Sequence, residues 1–345
     1  MDVWRIVNSL RNRSGQIINL LYPPKFEIHY GDSDLQFNLI FVTSRWDYRS
    51  RFVGDGFEYR NFMYAFKKLV SKIYFVPIEN KHKVTKTIRN FKKEKQKTIV
   101  FSVFQQLKDI PKDYFELSKE GFYLVNWYTD DDMLFDKFSK HVANFFNLNI
   151  ITFEPNLKYY KLLGAKAISS QWAAKTCYPF LNKRSYLACF IGRMYGGRAI
   201  LTERLKKEFK ELIFVQDTRK SILKESEMIN VYRNSWLAID DPIASDEKNI
   251  QIKARVFEDS SYGCLVLTKP NTRILKYFKL NKEILFWNDI SELINILRDF
   301  QKNPEKYKKL AYLAYNRVKK EHLYEYRFKE IFKFINHDVD FFNYE

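Results

Sequence analysis

Glycine and proline are scarce in this chain, at 10 and 9 of 345 residues, and cysteine is scarcer, at three. Cys177, Cys189 and Cys264 have no paired spacing and no companion histidines, so neither a disulfide framework nor a zinc site is supported. A reducing, intracellular setting is the simplest reading, and a cytoplasmic location is the expectation. No apolar run reaches the ~18 residues that a spanning helix needs. No signal-peptide pattern is visible. The few glycines form neither G-x-G-x-x-G nor G-x-x-x-x-G-K-[ST], which removes support from dinucleotide oxidoreduction and P-loop hydrolysis. Internal repeats and low-complexity segments are missing too. What is present is ample core material, 31 Phe and 23 Tyr, in a length that allows one large domain or two ordinary ones.

Charge is one-sided, with a formal excess of +18. Such a chain is drawn to polyanions: nucleic acid, an anionic membrane surface or phosphorylated ligands. The cations cluster in "KHKVTKTIRNFKKEKQK" (81–97), where Val84, Ile88 and Phe91 mark one apolar side of a surface helix. This segment is the candidate contact to nucleic acid. The N-terminal "MDVWRIVNSLRNR" places Val3, Val7 and Leu10 on one side. That side is expected to pack on the body of the protein, with peripheral contact to a membrane as the alternative.

Strand-like apolar runs alternate with helical patterns. "FNLIFVTS" (37–44), "KIYFVP" (72–77), "TIVFSVF" (98–104), "FYLVNWY" (122–128) and "NIITFE" (149–154) form one series. "YLACFIG" (186–192), "LIFVQD" (212–217), "WLAID" (236–240), "CLVLT" (264–268) and "EILFW" (283–287) form a second. Periodicity lapses between Gly164 and Arg184. The expectation is an α/β chain of two Rossmann-like, doubly wound domains facing across a cleft, with C-terminal helices. The expected boundaries are an extension over 1–35, domains over 36–170 and 184–320, and a helix over 321–345 packing back toward the first domain. Open parallel sheets bind ligands at the carboxyl ends of their strands, so the loops just after the strands are the places to look.

Two such loops carry chemistry. In "FIGRMYGGRAILTERL" (190–205), Gly192, Gly196 and Gly197 allow a tight turn, and Arg193 and Arg198 bracket it at a helix start. Helix N-termini favour anions, and arginines add charge-assisted bonds to phosphate. An ordinary turn with solvated arginines is the competing reading. In "QIKARVFEDSSYGCLVLT" (251–268), Lys253 and Arg255 precede Glu258, and Gly263 opens a buried strand. A surface ion pair between Arg255 and Glu258 would stabilise by only tenths of a kcal/mol, about 0.2–0.5. The other reading is a carboxylate on ribose hydroxyls.

"RVFEDSSYGCLVLT" resembles the R-x-F-E-x-x-x-x-G-x-x-x-L-T pattern of GT-B glycosyltransferases, with the CgeB-like spore-maturation family as the nearest match. "EILFWNDISELINILRDFQKNPEKYKKLAYLAYNRVKKEHLYEYRFKEI" (283–331), with His322, Tyr324 and Arg327, resembles the closing region of the same families, and "FIGR" their phosphate loop. More loosely, "WDYRSRFVGDGFEYRNFMYAFKKL" (46–69) and "NWYTDDD" (126–132) resemble the acceptor-side loops. The resemblance implies transfer of a sugar from a nucleotide-diphosphate donor, UDP-sugar first, to a glycan or other anionic acceptor, with no obligatory metal. It assigns Arg193, Arg198, Arg255 and Lys253 to the diphosphate, Glu258 to the ribose, and Gly192, Gly196 and Gly263 to close backbone approach. The E-x7-E acid of many retaining members would fall at Ile250, with Glu247 out of register. A base for the acceptor hydroxyl is sought first in Asp130, Asp131 and Asp132, then in Asp55 and Glu58. The competing reading of the first three is a helix start, with Thr129 or Asp130 as N-cap. Alternatives are a DNA-base glycosyltransferase, and a non-catalytic nucleic-acid-binding or scaffold protein on this fold.

Overall fold

The computed structural model describes residues 3–32, 38–92, 97–194, 197–218, 223–242 and 250–341. The chain divides into two compact units, Val7–Gln171 with Tyr324–Glu345, and Trp172–Leu323 with Met1–Ile6.

The first unit opens with helix α1 (Val3–Leu21) and strands β1 (Glu27–Tyr30) and β2 (Asn38–Thr43). It continues through α2 (Phe57–Leu69), β3 (Lys72–Pro77), α3 (Lys81–Asn90), β4 (Thr98–Ser102), α4 (Glu116–Lys119) and β5 (Phe122–Tyr128). Then follow α5 (Asp131–Leu134), a π-helical turn at Phe135–Ser139, α6 (Lys140–Val142), β6 (Leu148–Ile151), α7 (Leu157–Leu162) and β7 (Ala167–Ser169). Seven strands lie in the order β1-β3-β2-β4-β5-β6-β7, and only β1 runs antiparallel to its neighbour. Strands β2 to β6 are buried runs of Leu, Ile, Val and Phe, as a parallel sheet covered on both faces requires. The sheet bends back on itself in order between β2 and β4, so their carboxyl ends form a topological switch point. The C-terminal helix, named below as α13, covers one face. Phe328 lies 4.5 Å from Phe66 and 4.9 Å from Phe62 between ring centroids, and Phe41 stands beneath at 5.2 Å from Phe66. Burying rings of this size stabilises by roughly 1.5–3 kcal/mol each.

The second unit contains β8 (Tyr186–Gly192), α8 (Arg198–Phe209), β9 (Ile213–Asp217), α9 (Glu225–Arg233), β10 (Ser235–Ile239) and α10 (Ala254–Ser261). It ends with β11 (Leu265–Thr268), β12 (Ile284–Phe286), α11 (Ile290–Lys302) and α12 (Pro304–Glu321), and α13 (Tyr324–Phe341) follows in the first unit. All five strands are parallel, in the order β9-β8-β10-β11-β12. The switch point lies between β8 and β10.

Three local expectations need correction. The short strands β1 and β7 stand where the sequence reading placed none, because each lies at a sheet edge and is only half-buried. The basic helix ends at Asn90 rather than running to 97, and Lys93 to Gln96 lie outside the described residues. On α1, Leu10 is 57% exposed whereas Gly15 and Asn19 are buried, and the side chains of Val3 and Val7 lie outside the described ones.

Candidate functional site

In the second unit Gly192, Arg193, Arg198, Lys253 and Arg255, of the predicted donor residues, lie at the carboxyl edge of β8 and β10. Strand β8 ends at Gly192 and hands over to Arg193, which is exposed. Helix α8 starts at Arg198 with Gly197 before it, and α10 starts at Ala254 with Lys253 before it. Neither helix has a side-chain cap or an acid in its first turn. Elsewhere in the same unit, Asp289 caps α11 by accepting from the amides of Ser291 at 2.8 Å and Glu292 at 2.9 Å. Among the described residues, no side-chain cap and no first-turn acid meets the amide donors and positive dipole ends of these two helix starts.

Arg255 ties the two loops together. Its Nη1 donates to the carbonyl of Ile191 at 2.7 Å, and its Nε lies 3.9 Å from Asp240 Oδ1. The approach depends on Gly192, where a Cβ would stand 3.4 Å from Arg255 Nη1 and 3.3 Å from the Phe190 ring. Burial works against the Arg255 charge, but Tyr232, Asp240, Asp259 and Glu258 outweigh it and push the pKa up. The guanidinium keeps its charge, and 35% of the side chain as a whole is open. Lys253 is half-buried and donates to Gln251 Oε1. Glu258 is half-buried on α10, one turn in from the helix start and three residues beyond Arg255.

Arg198 departs from its assigned role. Its side chain is buried and donates to the carbonyls of Arg193, at 3.3 Å, and Asp241, while its Nε lies 3.5 Å from Asp241 Oδ2. It braces the β8 and β10 loops from inside rather than facing a ligand. Gly263 stands apart from the others. It ends α10 at the amino end of β11, with φ +90°, and an added Cβ would lie 2.3 Å from Arg184 Nη2 and 2.9 Å from Phe180. That glycine serves a left-handed turn and tight packing, away from the carboxyl edge. Gly196 lies outside the described residues. Asp240 and Asp241 went unassigned in the sequence reading, although two acids directly after "WLAI" at a strand end were a usable signal. Asp240 is buried and accepts from Thr268 Oγ1 at 3.0 Å. Burial raises its pKa, which Arg255 and that hydrogen bond partly offset.

In the first unit the three consecutive acids after β5 separate. Asp131 is fully buried and accepts from Tyr160 Oη at 2.8 Å and Asn156 Nδ2 at 2.9 Å. Burial raises its pKa, against hydrogen bonds from Ser139, Asn156 and Tyr160. Its carboxylate pins the start of α5 to α7 and is closed to an acceptor. Asp130 is the half-buried N-cap residue of α5, without a side-chain cap bond, and Asp132 is half-buried behind it. Glu58, in the first turn of α2, is the most perturbed carboxyl here. Burial, then the nearby charges of Asp47 and Asp130, push it up to about 7, against its own backbone amide and Arg60. Asp47 is held by the amide of Phe57 at 2.9 Å and lies 3.8 Å from Arg60. Glu58 thus lies at the start of α2, after β2, where burial and then like charges hold its carboxyl above the usual range.

The arginines of "RWDYRSRFVGDGFEYR" face inward. Arg45 pairs with Asp55 at 2.5 Å and Glu27 at 3.2 Å and lies 3.9 Å over the Tyr59 ring. Arg49 pairs with buried Asp109, and Arg51 bonds Asn19 at 3.0 Å and the Tyr22 carbonyl at 2.7 Å. These pairs order the loop, and they compete with any anionic acceptor for the same cations. On α3, Arg89 is paired with Glu120 at 2.6 Å, while Lys83 and Lys86 are exposed. His322 donates through Nε2–H to the Tyr277 carbonyl, 2.9 Å away, among the rings of Phe257, Tyr277 and Phe278. No group of three or more His, Cys, Asp or Glu among the described residues is placed to hold a metal ion.

Residues 192–333 match the profile of a family described as "Glycosyl transferase-like". No curated protein matches the chain by sequence. Among solved structures, alpha,alpha-trehalose 6-phosphate synthase from Burkholderia multivorans is similar at TM-score 0.58 and 8% identity, over 89% of this chain and 98% of that one. Anabaena HepE, solved in complex with UDP and glucose, is similar at TM-score 0.55 and 8% identity, over 87% of this chain and all of that one. The fold is of the GT-B class.

Proposed function

We propose that this chain is a glycosyltransferase that moves a sugar from a nucleoside-diphosphate donor, with uracil as the base, to an acceptor hydroxyl. The observation that carries the reading is the pair of uncapped helix starts, α8 and α10, with Arg193, Lys253 and Arg255 at the switch point of the second sheet. The family match over this same stretch supports it, and the UDP bound to HepE supports the choice of base. The R-x-F-E stretch supports a place among the CgeB-like enzymes.

Helix amides and the Arg193 and Arg255 guanidiniums bind the diphosphate, Lys253 adds charge, and Glu258 accepts from the ribose hydroxyls. Arg198 holds the two loops at their spacing. During transfer the bond between the anomeric carbon and the β-phosphate oxygen breaks, and the electron pair leaves with the diphosphate. Fixed cations and dipoles aimed at that growing charge lower the barrier most. The acceptor oxygen forms the new bond, and its proton passes to a carboxylate base. Glu58 is the fittest of the five candidates, because its pKa of about 7 lies near the operating pH. Asp130 is its neighbour and Asp131 is withdrawn from the set. The acceptor is a glycan or an envelope component.

Thermal melting of the full chain against a panel of nucleoside diphosphates and their sugars tests the reading. Ligand at about a hundred times Kd should stabilise by ~2.7 kcal/mol. UDP and UDP-sugars are expected to raise the transition, and Glu258→Ala to abolish the rise. A panel in which no nucleotide shifts the transition would sink the proposal.

A further inference from the structure

Helix α1 is amphipathic in the reverse sense for a helix held on a protein surface. Among the described side chains, its buried positions are Gly15 and Asn19. Asn19 Nδ2 donates to the Arg49 carbonyl at 2.6 Å and Gln16 Nε2 to the Tyr48 carbonyl at 2.9 Å, and Gly15 is buried against the same loop. Positions 10, 14, 17 and 21 recur at steps of four and three and so share the opposite side. There Leu10, Ile17 and Leu21 are 57%, 57% and 68% exposed. Beyond the helix, Tyr22, Phe26 and Tyr30 are exposed as well, at 70%, 52% and 72%, and Phe26 lies 5.4 Å from the Phe91 ring. Tyr30 belongs to the edge strand β1, and Lys72 lies 5.6 Å from its ring centroid. A helix anchored by hydrogen bonds with its aliphatic side in water needs something to cover that side.

We propose that this ridge docks the protein onto an anionic lipid surface, with α1 lying in the interface. The helix carries Arg5, Arg11 and Arg13 and neither Asp nor Glu, and Lys25 follows it. Exposed Arg13 and Lys25 would oppose their like in two facing copies, whereas acidic headgroups complement them. Tyrosine and phenylalanine at the end of the helix suit the headgroup level. None of the described helices is long and apolar enough to cross a membrane, so the contact is with the surface. The inference does not depend on the transferase reading.

The test is flotation of the full chain with vesicles of phosphatidylcholine plus phosphatidylglycerol, and with phosphatidylcholine alone. The chain should float with the first and far less with the second. Ile17→Glu/Leu21→Glu should weaken binding about a hundredfold by removing two buried side chains. Tyr22→Ser/Phe26→Ser, outside the helix, should weaken it about tenfold. Leu162→Glu, at an 82% exposed leucine elsewhere in the unit, should bind as the wild type does. Absence of flotation with anionic vesicles overturns the proposal, as does wild-type binding by both double variants. So does a dimer in sedimentation equilibrium that Ile17→Glu/Leu21→Glu dissolves while vesicle binding is absent, which would assign the ridge to a second copy.

Discussion

Replacing Arg255 with methionine removes the cation that joins the β8 loop to α10. Two losses follow, and they can be told apart. The first concerns the donor: a charge-assisted bond to a diphosphate oxygen contributes about 1.5–3 kcal/mol, so the Kd for UDP should rise roughly 10- to 150-fold. The second concerns the fold. Arg255 Nη1 leaves the Ile191 carbonyl, 2.7 Å away, and Asp240 loses the guanidinium at 3.9 Å while keeping Thr268. Because the side chain is 35% exposed, solvent already screens the pair. The stability loss should be about 1–2 kcal/mol, or roughly 2–8 °C in Tm. This second loss depends on pH. Asp240's pKa is already raised by burial, and without Arg255 it rises further. Where the carboxyl is protonated in both folded and unfolded chains the added penalty vanishes. The deficit should therefore shrink on acidification and grow as pH rises through the folded pKa. Isothermal titration with UDP and melts across pH read both effects. An unchanged Kd beside a lowered Tm would refute the reasoning, because Arg255 would then only hold the loops together.

Glu58→Gln should abolish transfer while leaving UDP affinity within twofold. Glu58's folded pKa of about 7 exceeds its ordinary value of 4.5, so its stabilising contribution is complete in acid and lost as pH rises through 7. Melts should show Glu58→Gln unchanged near pH 4 and more stable by about 1–3 kcal/mol at pH 8. Asp131→Ala should cost about 2–4 kcal/mol in denaturant titration by stranding Tyr160 and Asn156. The folded fraction should keep its turnover. Gly263→Ala should destabilise by about 1–3 kcal/mol from its φ of +90° and the Arg184 contact, with UDP affinity unchanged by calorimetry.

The parallel sheets were legible because buried strands read as continuous apolar runs and the helices between them as 3.6-residue patterns. "FNLIFVTS" holds β2, "YLACFIG" coincides with β8, and "ARVFEDSS" forms α10. Edge strands carry a weaker signal, and "EIHY" and "AIS" gave none. Within the sites, residue type was legible but direction was not. Asp130, Asp131 and Asp132 are equivalent in sequence. Only Asn156 and Tyr160, brought in from the segment after β6, make Asp131 structural. Arg193 and Arg198 bracket one loop, yet the second turns inward to Asp241, a residue that joins it only through sheet order. Glu58 stood among several acids until burial, helped by Asp47 and Asp130 from two other loops, raised its pKa. The outward-facing ridge on α1 was hidden for the same reason. The apolar period announces a side to be covered without saying what covers it.

The most direct test of the central claim is a crystal structure of the full chain with UDP. The account predicts the diphosphate at the starts of α8 and α10, within hydrogen-bond reach of Arg193 and Arg255, with the ribose hydroxyls on Glu258. UDP bound away from the carboxyl edge of β8 and β10, or oriented with its diphosphate away from both helix starts, would contradict it.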